Sequence, residues 1–68
     1  MRTWVREARK AKGLSEKNVA DEVGISQPAY HWIEEGKKNP RPETAKRIGA
    51  VLGIPWVRFY EDEEESAE

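Results

Sequence analysis

Apolar residues in this chain recur at three- and four-residue spacing, the period of an amphipathic helix, and no stretch alternates apolar and polar residues as a half-buried strand does. Trp4, Val5, Ala8 and Ala11 mark a first helix from about Thr3 to Lys12, closed by Gly13 where helices favour a left-handed residue. Ser15 is a natural N-cap for a second helix over Glu16 to Val23, with Val19, Ala20 and Val23 as its apolar stripe. Gly24 then supplies the positive φ of a tight turn without a Cβ clash. After the apolar plug Ile25, Ser26 caps a third helix over Gln27 to Glu35. Pro28 is tolerated in its first turn, and Tyr30 and Ile33 point inward. Ala20 is small enough to let these two helices cross closely. A polar loop, Gly36 to Arg41, leads to Pro42 at the first position of a fourth helix. That helix turns Thr44, Ile48, Val51 and Leu52 inward and ends at Gly53. Pro55 opens a short fifth helix, PWVRFY. The expectation is an all-α, compact five-helix domain. Its core is Val5, Ala8, Leu14, Val19, Ala20, Val23, Ile25, Tyr30, Ile33, Ile48, Leu52, Ile54 and Phe59.

A length of 68 residues bounds this to one domain. A chain so short buries only about 60% of the surface its unfolded form exposes, so its stability is marginal. The absence of cysteine removes disulfides and thiolate metal sites and fits a reducing cytoplasm. No apolar run is long enough to span a bilayer or act as a signal peptide. A single histidine, no convergent carboxylates and no phosphate-cradling glycine loop argue against an enzyme. They point to no metal, cofactor or small-molecule ligand. The net charge of −1 hides an asymmetry. Residues 1–60 hold all twelve Lys and Arg against seven acids, a balance of +5, while residues 61–68 hold six acids and no base. The body, residues 1–60, suits a polyanion, and residues 61–68 read as an acidic, disordered, solubilising tail. A sharper reading has the tail compete for the basic surface or dock on a partner.

The helix–turn–helix pattern of LSEKNVADEVGISQPAYHWIEEG, preceded by VREARKAKGLS and followed by EEGKKNPRPETAKRIGAVLGIPWVRFY, resembles the Xre, or lambda-repressor-like, helix-turn-helix family. The likeness runs from about Val5 to Tyr60. RKAKGLS, the VGIS turn, IEEGKKNPRPET and IGAVLGIP are its most specific parts. It implies a DNA-binding domain with the motif at helices 2 and 3. It also implies that Arg9 on helix 1 pairs with Glu34, tying helix 1 to the reading helix.

Phosphate contacts position such a protein and base-edge contacts specify its site. For phosphates the chain offers Ser15 and the N–H groups opening helix 2, with Lys17, Ser26, Lys37, Lys38, Asn39 and Arg41 around the motif and Lys10 and Lys12 near the same edge. For bases it offers the outward positions of helix 3: Gln27, Pro28, His31 and Trp32. Gln27 is the strongest, because an amide pairs bidentately with adenine N6 and N7. Pro28 presents apolar surface to a thymine methyl. His31 is read as an exposed polar residue. Trp32 packs on methyls or sugars, meets a partner subunit, or tucks into the domain. The chain departs from the family at four places. Arg41 replaces a capping Ser, Glu16 a phosphate-clasping Gln, Glu35 an Arg, and Trp32 an Arg or other polar residue. Glu16 and Glu35 weigh against tight DNA binding.

Trp56, Phe59 and Tyr60 crowd the last helix, more aromatic surface than one small core is expected to hide, and they are read as a homodimer interface. The resulting expectation is a sequence-specific regulator of transcription, a repressor of phage or mobile-element type. It binds double-stranded DNA at a palindromic operator as a homodimer, in the cytoplasm of a prokaryotic or phage-infected cell and associated with the nucleoid. The alternative is a protein-interaction module on the same fold, an antitoxin or accessory subunit with weak DNA binding.

Overall fold

The computed structural model describes residues 1–61, so the expectations for the acidic tail lie almost wholly outside the described residues. Four helices follow in order: α1 (Thr3–Ala11), α2 (Glu16–Val23), α3 (Gln27–Glu34) and α4 (Pro42–Leu52). A last helical turn covers residues 58–61, and no strand occurs among the described residues. This turn starts tighter and later than PWVRFY suggests. Arg58, Phe59 and Tyr60 donate to the carbonyls of Pro55, Trp56 and Val57, three residues back. No helix among the described residues is long and apolar enough to cross a membrane.

Local chemistry sets the helix boundaries. Ser15 Oγ accepts from Asn18 N at 3.0 Å, and Asn18 Oδ1 accepts from Ser15 N at 3.1 Å, a reciprocal capping box that satisfies two orphan donors. Gly24 ends α2 at φ +87°, a left-handed conformation open to glycine. Ser26 Oγ accepts from Ala29 N at 3.2 Å and starts α3 two residues later. Arg41 at the head of α4 makes no side-chain cap, as its lack of an acceptor requires.

α2 packs against both α3 and α4, and α1 lies across α3 and α4. The core between them is Val5, Val19, Ala20, Val23, Tyr30, Ile33, Ala45, Ile48, Leu52 and Phe59, with Trp4, Ala8, Leu14, Ile25, Ile54, Trp56 and Tyr60 packed on its edge. The inward face of α4 centres on Ala45 and Ile48, with Thr44 only half-buried. Ala11 is exposed rather than inward, as the last residue of α1.

The aromatic end differs most from expectation. Phe59 is fully buried, so it cannot serve a dimer interface directly. Its ring packs 5.1 Å from Trp4, and the Arg2 guanidinium lies 5.2 Å above it. Trp56 and Tyr60 are half-buried and meet edge to face at 6.1 Å. Tyr60 also donates to the Pro40 carbonyl at 2.9 Å. Lys46 covers Trp56 and Arg58 covers Trp4, at 5.1 and 4.6 Å from the ring centroids. Cationic side chains with apolar stems lie over aromatic faces and let a small domain hide more ring surface than its core volume suggests. The exposed apolar residue of this region is Val57.

Candidate nucleic-acid interface

The scaffold beneath α3 is held by charge. Arg9 Nε donates to Glu34 Oε2 at 2.8 Å and Nη2 to Oε1 at 3.0 Å, a two-pronged pair joining α1 to the end of α3. Arg9 Nη1 also donates to the Leu14 carbonyl at 2.9 Å. Burial pushes the Glu34 carboxyl up, but the Arg9 hydrogen bonds and charge, with the Tyr30 hydroxyl beside it, outweigh that and hold it below its ordinary value. Burial, then the Glu34 carboxylate, push the Tyr30 phenol far up. The pair expected from the resemblance is therefore present, with Glu34 buried and Arg9 partly so.

A second anchor escaped sequence reasoning. Arg2 is buried, and its guanidinium donates to the carbonyls of Ile33 and Lys38 and to Asn39 Oδ1. Its backbone N–H donates to the Glu34 carbonyl at 2.8 Å. One side chain thus ties the chain start to the loop after α3. Its partners are mostly backbone carbonyls more than thirty residues away, and no spacing or periodicity announces them.

On this base α3 presents its outward face. Gln27, Pro28, His31 and Trp32 line one open concavity of 340 Å³ together with Glu16 from the start of α2. The four residues predicted to read bases are therefore brought together. Trp32 is 44% exposed and does not tuck into the domain. Lys37 Nζ reaches back to 5.2 Å above its ring. His31 is not simply an exposed polar residue: it is half-buried, with Nδ1 3.2 Å from Glu16 Oε2. The two acids that weigh against binding separate here. Glu35 ends α3 as its C-cap, about 12 Å along the helix from Gln27. Glu16 lies in the cleft, and its carboxylate is engaged by His31.

The predicted phosphate contacts are more varied. Ser15 and Ser26 spend an acceptor lone pair on their caps and keep their hydroxyl protons. Lys17 pairs with Asp21 at 2.9 Å, but both side chains are largely exposed and such a pair is weak. Asn39 turns its oxygen to Arg2, which leaves its amide N–H groups. Lys38 and Arg41 are exposed, with no ion pair or side-chain hydrogen bond among the described residues. No group of His, Cys, Asp and Glu among the described residues is arranged to hold a metal.

Comparison with known proteins gives one consistent likeness. The helix-turn-helix family model matches residues 5–59. A Bacillus subtilis protein named as an HTH-type transcriptional regulator, YqaF, is 37% identical over 62 residues, covering 91% of this chain and 82% of that one. A Methanothermobacter thermautotrophicus protein, also named as an HTH-type transcriptional regulator, is 38% identical over 53 residues, covering 78% and 77%. The cryptic phage CTXphi transcriptional repressor RstR of Vibrio cholerae is 27% identical over 60 residues, covering 88% of this chain but 54% of the repressor.

Proposed function

The chain belongs to the helix-turn-helix family, and from that premise we propose that it binds double-stranded DNA through the outward face of α3 and represses transcription by occupying that DNA. The observation that carries this reading is the convergence of Gln27, Pro28, His31 and Trp32 on one exposed cleft at the start of the second motif helix. An amide, an imidazole and two apolar surfaces match the hydrogen-bonding edges and thymine methyls of the major groove. Ser15, Lys17, Lys37, Lys38 and Arg41 supply phosphate contacts that fix the register. The setting for this role is the cytoplasm of a prokaryotic or phage-infected cell.

The repressor acts as a homodimer on a palindromic operator, with two α3 helices about 34 Å apart on one face of the duplex. With Phe59 inside the core, the surface left for this contact is Val57, 46% exposed, flanked by Trp56 and Tyr60. Native mass spectrometry at tens of micromolar is expected to show a dimer, and a monomer alone removes this part of the proposal.

Selection from a pool of random duplexes tests the DNA reading. The retained duplexes are expected to share a motif, and Gln27→Ala to lose about 1–3 kcal/mol of discrimination at one base position. Lys38→Ala is expected to weaken all sequences alike. Equal loss across sequences for Gln27→Ala contradicts its assignment. Exposed Trp32 beside the Glu16 carboxylate favours one rival, a protein-docking module on the same fold, and a pool that yields no motif at low salt decides for it.

A further inference from the structure

Glu16 stands at the first position of α2, where the helix dipole stabilises an anion. Its side chain leans across the helix pair. Both carboxylate oxygens lie close to His31 Nδ1, at 3.3 and 3.2 Å. The Glu16 side chain is 23% exposed and that of His31 43%, so the contact is a partly buried part of the cleft lining. The Trp32 ring also meets the imidazole in an edge-to-face contact, with centroids 5.4 Å apart. The His31 ring thus has two neighbours, a carboxylate and an indole.

A carboxylate only accepts hydrogen bonds, so this contact requires a proton on Nδ1. Nε2, which has no hydrogen-bond partner among the described residues, is left for whatever enters the cleft. We infer that Glu16 is a positioning residue for base recognition: it fixes the ring and tautomer of His31 so that Nε2 meets a base edge. The inference rests on the DNA reading above. It changes the role of Glu16, whose charge would otherwise only repel the phosphate backbone. In the neutral ring Nε2 accepts from an exocyclic amine, adenine N6 or cytosine N4. In the imidazolium it donates to guanine O6 or N7. Both forms distinguish base pairs, and both need the ring held still.

Two measurements on the full chain test this. The first is the nitrogen-15 imidazole spectrum of the single histidine at alkaline pH, without DNA. Wild type and Glu16→Gln, whose amide oxygen still accepts, are expected to carry the proton on Nδ1, and Glu16→Ala to move it to Nε2. A wild-type proton on Nε2 overturns the inference. The second is affinity for every single-base variant of a selected duplex. Glu16→Ala and His31→Ala are expected to lose about fivefold or more of discrimination at the same base pair. The double variant is expected to lose no more than His31→Ala alone, and Glu16→Gln to keep the wild-type preference. A uniform gain in affinity for both Glu16 variants, with the preference unchanged, shows that Glu16 acts on the backbone alone and overturns the inference while leaving the DNA reading intact. Wild-type protein that retains no duplex at low salt overturns the DNA reading and the inference with it.

Discussion

Arg9 and Glu34 meet where water is nearly excluded, with side chains 11% and 2% exposed. Removing one partner strands a buried charge, so Glu34→Ala or Arg9→Ala is expected to cost about 3–5 kcal/mol by urea denaturation. In a domain whose whole stability is about 5–15 kcal/mol, that loss removes a large share of the folding free energy. Replacing both by apolar residues of similar volume, Arg9→Met with Glu34→Leu, is expected to cost far less. A double variant as unstable as either single one contradicts this. The same pair sets an acid limit. The Glu34 carboxyl is held below its ordinary value of 4.5, so the folded state binds its proton less readily than the unfolded chain does. Its stabilisation is complete above that ordinary value and is lost as pH falls through the lower folded value. Glu34→Gln is expected to flatten the acid side of the stability curve. At this scale the sequence showed Arg9 and Glu34 only through family resemblance. It concealed Arg2, whose partners are mostly carbonyls, and the Glu16–His31 contact, which joins residues fifteen apart on separate helices.

The helices were legible because each carries its own boundary chemistry. Ser15, Gly24 and Ser26 are start and stop signals that work within four residues, and a local signal can be read without the fold. Ser15→Ala is expected to cost about 1 kcal/mol and to lower the melting temperature accordingly. Packing between elements is less visible. Gly49 lies buried in the last turn of α4, where a Cβ would stand 2.7 Å from the Ile54 carbonyl oxygen and 3.3 Å from Trp56 Cβ. Glycine here lets the chain fold back across its own helix. Alanine is the better helix former by about 1 kcal/mol. Even so, Gly49→Ala is expected to destabilise the domain by about 1–3 kcal/mol, because a backbone carbonyl cannot step aside as a flexible side chain can. A rise in melting temperature contradicts that. Apolar periodicity cannot register a glycine, and counting aromatics against core volume overlooked the cations laid over Trp4, Phe59 and Trp56.

Across the whole molecule, the division of charge and the placement of the cleft point the same way. A body with a balance of +5 in residues 1–60 carries its base-reading candidates on one exposed helix face, beside the anion-favouring start of α2. Scaffold and reading face differ in how they could be foreseen. The inward positions Val19, Ala20, Tyr30 and Ile33 follow from packing, which periodicity encodes. The outward positions depend on which neighbours they touch, and that emerged only once α2 and α3 were set against each other. Salt dependence tests the central claim most directly, because neutralised phosphates release counterions whatever the sequence read. Binding to a selected duplex, followed as log K against log salt, is expected to fall with a slope of about −0.9 per phosphate neutralised. Four engaged cations, Lys17, Lys37, Lys38 and Arg41, give about −3.6 for one subunit and twice that for a dimer. A flat slope, or no binding even at low salt, contradicts the account.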